Sequence, residues 1–513
     1  MMAEQAALDR VRKDLYIGGQ WRPASGGKTL SVEDPSTGQP LAEVADATPE
    51  DALAALAAAA DAQAAWAATA PRERGEILRR AHELLLARVD ELALVMTLEM
   101  GKALAESRAE INYAAEFLRW FSEEAVRIHG RYMTNTTGQG RILTMRQPVG
   151  PCVFVTPWNF PTAMGTRKIA PAIAAGCTMV VKPAQQTPLS MLALAGVLAD
   201  AGLPGGVLNV ITAHHSGAVI EPLLKDSRTR KLSFTGSTEV GRKLIEQSAE
   251  QVLRVSMELG GNAPFVVFED ADLDAAVEGA LIAKLRNVGE ACTAANRFHV
   301  HESLAEEFAK RMAERMAKLK VGRGTDPEVD IGPLIDDRQR GIVEELVQDA
   351  LQKGAKLLCG GGRLTGPMQP GVSPTMAGAS ESEASPSTTG SPVTGGYFFA
   401  PTVLGEVPSD ARILREEVFG PVAPVSTFST EEQAIEAANA TEYGLVAYIY
   451  TRDLARTLRV SEAIEAGMVG VNQGIVSNPA APFGGVKQSG FGREGGFEGV
   501  GEYLETKYVA LNV

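Results

Sequence analysis

From residue 150 onward the chain alternates strand-like and helix-like stretches, and that rhythm restricts it to few folds. Gly150 to Val155, Thr178 to Val181, Val207 to Ile211, Lys231 to Phe234 and Leu253 to Met257 read as strands. Ile169 to Gly176, Leu189 to Ala201 and Val240 to Ala249 read as helices, with one more short helix before Lys231. Strands separated by helices pair in parallel, because the helix carries the chain back to its starting end. The expected fold class is therefore α/β, with an open sheet. Residues 264 to 320, 335 to 360 and 402 to 472 continue in the same style and predict a second open α/β domain. At 513 residues the chain exceeds what one core organises, and two or three domains are expected.

Residues 50 to 127 read as helix throughout, with Ile77, Ala81, Leu84 and Leu85 at helical spacing. At 128 the character changes. Two short runs, Arg131 to Thr134 and Arg141 to Met145, flank a polar turn at 135–140 and predict a hairpin. Leu364 to Gly395 is rich in Ser, Pro, Gly and Thr, and its only charges are Glu381 and Glu383. Such a composition buries too little apolar surface to fix a backbone, so a flexible surface insertion is expected, a solvated loop rather than a lid.

The net charge of -14 speaks against nucleic acid or an anionic membrane as partner, but not against an anionic small substrate. Met1 to Gly19 lacks the apolar segment of a signal peptide, and no apolar run is long enough for a membrane span. The four cysteines, Cys152, Cys177, Cys292 and Cys359, show neither CxxC pairs nor zinc spacing. A cytoplasmic protein without a metal site is expected.

Cys292 stands out within Gly289-Glu290-Ala291-Cys292-Thr293-Ala294-Ala295-Asn296-Arg297. A thiolate is a strong nucleophile, but a free thiol is mostly protonated near neutrality and needs a base. None of the six histidines sits in a recognisable catalytic motif. Glu258, in Ser256-Met257-Glu258-Leu259-Gly260-Gly261-Asn262, closes a predicted strand, and ligands of open α/β sheets bind at the carboxyl ends of strands. Asn159, in Thr156-Pro157-Trp158-Asn159-Phe160-Pro161, offers an amide to an oxyanion. Thiol, carboxylate and amide together point to covalent chemistry at a carbonyl carbon.

These three motifs, in this order and at these separations, resemble the aldehyde dehydrogenase superfamily, over nearly the whole chain. The resemblance implies that Cys292 attacks an aldehyde carbon, giving a thiohemiacetal. Its oxyanion would be held by Asn159 and the Cys292 N–H. Hydride would pass to a nicotinamide, and Glu258 would activate the water that hydrolyses the thioester. A carboxylate base argues against thioester release to CoA. Glu290 stands where many relatives have glutamine; its charge either raises the thiol pKa or points away, and the sequence leaves both open. Ala294 stands where some relatives have a second cysteine, so no local disulfide switch is expected.

No GxGxxG follows the first strand. Instead Phe234-Thr235-Gly236-Ser237-Thr238-Glu239-Val240-Gly241 marks a predicted strand-to-helix turn, where Gly236 permits close approach and a helix N-terminus offers N–H groups to a phosphate. Together with Val180-Val181-Lys182-Pro183-Ala184-Gln185 it is similar to the superfamily's nicotinamide dinucleotide site. By that resemblance Lys182 holds the adenosine ribose, Gly236 and Ser237 meet the pyrophosphate, and Glu417 binds the nicotinamide ribose. Thr156, Pro157, Trp158, Pro183, Ala184, Gln185, Leu259 and Phe419 are the further cofactor positions. Many NAD-preferring members have glutamate at the position of Gln185. A neutral amide removes the repulsion of a 2′-phosphate, so NADP is favoured over NAD. His214 and His215 are expected on a solvated loop.

Arg167, Arg286 and Ser477 match the positions that bind the substrate carboxylate in succinate-semialdehyde dehydrogenases, where an arginine fork suits a carboxylate. The reaction implied is oxidation of succinate semialdehyde to succinate with NADP or NAD. Glutarate semialdehyde, another ω-oxo acid or a broad aldehyde range stays open, because one methylene is worth only ~1–3 kcal/mol. Rivals of another class are a catalytically silent dinucleotide-binding structural protein and a thiol esterase. The resemblance divides the chain into a dinucleotide-binding domain (1–127 and 149–260), a catalytic domain (261–488) and a small β oligomerisation element (128–148 and 489–513), which implies a homodimer or homotetramer.

Overall fold

The computed structural model describes residues 2–364 and 395–512, so nearly all of the insertion expected at 364–395 lies outside the described residues. The centre of the first sheet is five parallel strands in the order Leu208–Val210, Met179–Lys182, Cys152–Val155, Lys231–Thr235 and Arg254–Glu258. Each lies within a few residues of its predicted position. The chain enters at Cys152–Val155, builds outward on one side, then returns to build on the other. This reversal opens a crevice at the carboxyl ends of Cys152–Val155 and Lys231–Thr235, where doubly wound sheets take ligands.

Two edges were not legible in the sequence. Leu15–Ile17 lies antiparallel beside Leu208–Val210, with Gln20–Arg22 beyond it. Gly490–Phe491 closes the other edge, antiparallel to Met257 and Glu258. Strands of two or three residues are too short to show a period. The helix expected from Ile169 spans Ala163–Ala175. Its early start has a distant cause: Glu110 Oε1, from the helix Leu104–Glu124, accepts the N–H groups of Thr162 and Ala163 at 3.0 and 3.1 Å. Glu99 likewise accepts from Leu189 and Ser190 at the start of Pro188–Asp200, at 2.7 and 2.8 Å.

The second sheet runs Lys356–Cys359, Thr402–Gly405, Val422–Phe428, Ala295–His301, Ala263–Val267, Val446–Tyr450 and Met468–Val471. It is parallel except for its first pair. Ala263–Val267 is buried along its whole length, as expected of a strand covered on both faces. A third, small sheet joins the predicted hairpin strands Arg131–Thr134 and Arg141–Pro148 to Leu504–Leu511, all antiparallel. No helix of the described residues is long and apolar enough to cross a membrane.

Candidate active site

Strand ends bring the predicted residues together. Glu258 ends Arg254–Glu258, and the Thr156–Asn159 segment leaves Cys152–Val155. Cys292 follows a tight turn, Arg286–Gly289, in which Asn287, Val288 and Gly289 have φ of 55°, 60° and 79°. A β-branched valine is strained at such an angle, so surrounding contacts must hold the turn. The Asn287 N–H donates to Glu106 Oε1 at 2.6 Å. Its side-chain amide donates to the carbonyls of Asn159 and Glu290 at 3.1 and 2.9 Å. Asn159 Nδ2 donates one N–H to the same Glu290 carbonyl at 3.0 Å, and its amide carries a second. Behind it, Lys102 Nζ donates to the Asn159 carbonyl at 2.8 Å and pairs with Glu110 at 2.6 Å, both side chains buried. Gly261, after Glu258, is required here. A Cβ on Gly261 would stand 2.5 Å from the Cys292 carbonyl oxygen, and one on Gly260 2.8 Å from Glu417 Oε2.

Burial pushes the Cys292 thiol up to about 12; Arg167 opposes this most, then Glu417 and Glu258 reinforce it and Arg286 opposes it. No histidine is among these groups. Glu258 is buried, and neither of its carboxylate oxygens has a hydrogen-bond partner among the described residues. Burial, then Glu494, holds it well above the usual carboxylate range, against Arg167, Lys168 and Arg493. Glu290 points away from the thiol: its Oε1 accepts the Ile335 N–H at 3.1 Å.

At the residues expected to hold a cofactor, Thr156 Oγ1 and Thr235 Oγ1 are buried without partners among the described residues, beside the two strands that flank the crevice. Lys182 is 3% exposed, donates to Ser216 Oγ at 2.5 Å, and has no carboxylate in salt-bridge range among the described residues. Burial pulls it down to about 8, with Asp46 opposing. Orphaned hydroxyls and a buried, unpaired cation fit a ligand rich in hydroxyls and phosphates. Pro183 is buried; Ala184 and Gln185 beside it are partly exposed. Gly236 is required by Phe234, whose ring would stand 2.5 Å from a Cβ there. Ser237 caps the helix Thr238–Ser248 through the Val240 N–H at 3.4 Å. Trp158 and Phe419 meet edge to face at 5.6 Å. Glu417 accepts the Gly261 N–H at 3.0 Å and is pushed up to about 7 by burial.

A cavity of about 170 Å³ lies beside the turn that leads to Cys292, lined among others by Arg286, Ser477, Tyr113, Phe160, Glu106 and Lys102. Arg286 Nη1 donates to Ser477 Oγ at 3.3 Å, and its guanidinium lies 4.8 Å from the Phe160 ring centre. Arg167 is placed differently from its predicted companions. It is buried, its Nε donates to Glu494 Oε2 at 2.8 Å, and it stacks over Phe483 at 3.8 Å. Lys168 holds the other Glu494 oxygen. Glu494, Glu106 and Tyr113 were not singled out from sequence; only the fold sets them beside the motifs. A wider groove of about 890 Å³ along the helix Ala305–Met316 touches none of these residues.

The sequence pattern of the aldehyde dehydrogenase family matches residues 21–385 and 371–509, and the chain belongs to that family. It has the α/β fold and the NAD(P)-dependent aldehyde dehydrogenase class that the motifs implied. The chain is 58% identical over 471 residues to the succinate-semialdehyde dehydrogenase of Paenarthrobacter nicotinovorans, covering 92% of this chain and 98% of that one. It is 46% identical over 502 residues to the glutarate-semialdehyde dehydrogenase of Pseudomonas putida KT2440, covering 98% of each. A crystal structure described as an E. coli NADP dependent enzyme is similar at a TM-score of 0.91 and 47% identity, covering 99% of each chain.

Proposed function

We propose that this aldehyde dehydrogenase oxidises an aldehyde bearing a terminal carboxylate, succinate semialdehyde foremost, to the dicarboxylate. The observation that carries this is the Arg286–Ser477 pair in a small cavity whose wall includes Asn287, at the turn that leads to Cys292. An arginine fork backed by a hydroxyl recognises a carboxylate. The similarity at 58% to a succinate-semialdehyde enzyme supports four carbons ahead of five.

In the mechanism that this geometry supports, Cys292 sulfur bonds to the aldehyde carbon while the thiol proton passes toward Glu258. The carbonyl oxygen becomes an oxyanion facing the free N–H of Asn159 and the Cys292 N–H. A nicotinamide cofactor held by Lys182, Gly236, Ser237 and Glu417 would supply the acceptor for the hydride of this carbon. Glu258, having released the thiol proton to solvent, then takes a proton from water, whose hydroxide adds to the thioester carbon; the carbon–sulfur bond breaks, the acid product departs and the proton on Glu258 returns to the sulfur.

Lys182 and the uncharged Gln185 support NADP over NAD, with the adenosine ribose and its 2′-phosphate on that side of the crevice. All four cysteines are free thiols, which supports a cytoplasmic setting. The three-stranded sheet is proposed to join copies into a dimer or tetramer. The test of function is reduced-nicotinamide absorbance with succinate semialdehyde and with butanal, each with NADP and NAD. A preference for the semialdehyde of at least about tenfold in kcat/KM, abolished in Arg286→Leu, is expected. Equal turnover of butanal would remove the carboxylate pocket. A Gln185→Glu variant should lower the NADP/NAD ratio.

A further inference from the structure

Glu106, on the helix Leu104–Glu124, lies in the wall of the cavity that holds Arg286 and Ser477. Its Oε1 accepts the Asn287 N–H at 2.6 Å, whereas its Oε2 is buried without a partner among the described residues. A buried carboxylate oxygen with no partner is unfavourable. It becomes more so when a second carboxylate enters the same cavity, because two like charges in one site do not both ionise readily. The charged groups that face Glu106 are Lys102 and Arg286, which favour its anion, and Glu110, which opposes it. Lys102 is already paired with Glu110 at 2.6 Å, and Arg286 is turned toward Ser477. Burial therefore dominates and holds Glu106 above the usual carboxylate range.

A neutral acid at this position converts a repulsive wall into a donor. We infer that Glu106 meets the distal carboxylate of the substrate as the protonated acid, its Oε2–H donating beside Arg286 and Ser477, so that the pocket takes up a proton together with its acidic substrate. This rests on the carboxylate reading above. Oxygen-to-oxygen hydrogen bonds in which one partner is ionised are short and strong. The same residue reaches the reacting end through Asn287, whose amide bridges the carbonyls of Asn159 and Glu290. Glu106 is thus a specificity residue at one end of its carboxyl group and a positioning residue at the other.

The linkage has a definite sign. Once pH rises past the ionisation of Glu106 in the empty pocket, binding an anion requires a proton from solvent, so KM for the semialdehyde climbs. Over a profile from pH 6 to 10 a total rise of at least about tenfold is expected for succinate semialdehyde, with little change for butanal. In Glu106→Gln, which keeps a donor but cannot titrate, the semialdehyde profile should be flat. A Glu106→Gln profile that rises as the wild type does, or a butanal profile that rises equally, would overturn the inference. A second measurement needs no variant. Succinate is titrated calorimetrically into the wild type, in two buffers of unlike ionisation enthalpy, at several pH values from 6 to 10. Uptake approaching one proton is expected within this range, and its absence throughout would overturn the inference. A wild type that shows no preference for the semialdehyde over butanal at any pH would instead bring down the carboxylate reading itself.

Discussion

A cysteine whose thiol is pushed up to about 12 holds little thiolate at neutral pH, so the nucleophile is generated in the encounter with base and aldehyde rather than stored. Burial is the main cause, and Arg167 is the chief counterweight. Glu494 pins that arginine, which fixes its field at the thiol but leaves it less free to grip a substrate. Below its pKa the thiolate fraction of a thiol grows about tenfold per pH unit. Alkylation of Cys292 by iodoacetamide without cofactor, followed by mass spectrometry, should therefore climb about tenfold per unit from pH 7 to 9 without levelling. A plateau below pH 8 would reveal a preformed thiolate and remove the need for Glu258 as base in the attack step, leaving its role toward water. Cys292, Glu258 and Asn159 were legible in the sequence because each sits in a dense motif at a strand end or turn. The Arg167–Glu494 pair was not. The two are 327 residues apart, and an isolated bridge between Phe483 and Glu494 brings the acid in. The direction of Glu290 was equally hidden, since it depends on three successive residues at positive φ.

Helices near the site begin where glutamates from other helices cap them, which ties element boundaries to titratable groups. Glu99 is the clearest case. It is fully buried, accepts two N–H groups of Pro188–Asp200, and burial pushes it up to about 8. Between its ordinary value and 8 the folded chain keeps a proton that the unfolded chain has lost. Its stabilising contribution is therefore complete in acid and declines as pH rises through this window, by on the order of 3–5 kcal/mol. Glu99→Gln retains an acceptor for the cap and has no proton to lose. Its melting temperature should fall less between pH 5.5 and 8 than that of the wild type, as read by differential scanning calorimetry. Equal falls would show that Glu99 does not titrate there. The same caps explain the mismatch at Ala163–Ala175. Local periodicity marks the body of a helix, as it did for Leu189 to Ala201, but a cap supplied by Glu110 from far away leaves no local trace. The parallel strands were legible because turn residues bound them and apolar side chains recur in each, as in Cys152–Val155.

At the scale of the whole molecule, the segment after Gly485 links the site to the outer sheet. Gly490–Phe491 extends the sheet that ends in Glu258, and Glu494 holds Arg167. Arg254 then donates to the Leu504 carbonyl at 2.8 Å, where Leu504–Leu511 begins. Among the described residues that strand pairs with Arg141–Pro148 on one side only, and Arg131–Thr134 forms the opposite edge. Tyr132, Met133 and Tyr508 on these edge strands are 65%, 46% and 61% exposed. Open edges carrying apolar side chains invite pairing with another chain. In a solitary copy they would favour uncontrolled association, and a closed assembly through this sheet is proposed to satisfy them. Sedimentation velocity should show the wild type as a dimer or dimer of dimers. A variant carrying Tyr132→Ser, Met133→Ser and Tyr508→Ser should dissociate toward monomer. Its dinucleotide binding, followed by quenching of tryptophan fluorescence, should persist, because the crevice lies on the first sheet. A monomeric wild type at micromolar concentration, or a fully assembled triple variant, would place the interface elsewhere. Because the 490–504 segment runs from Glu494 to the outer sheet, dissociation should also loosen the hold on Arg167 and slow alkylation of Cys292 as its main positive neighbour becomes less fixed.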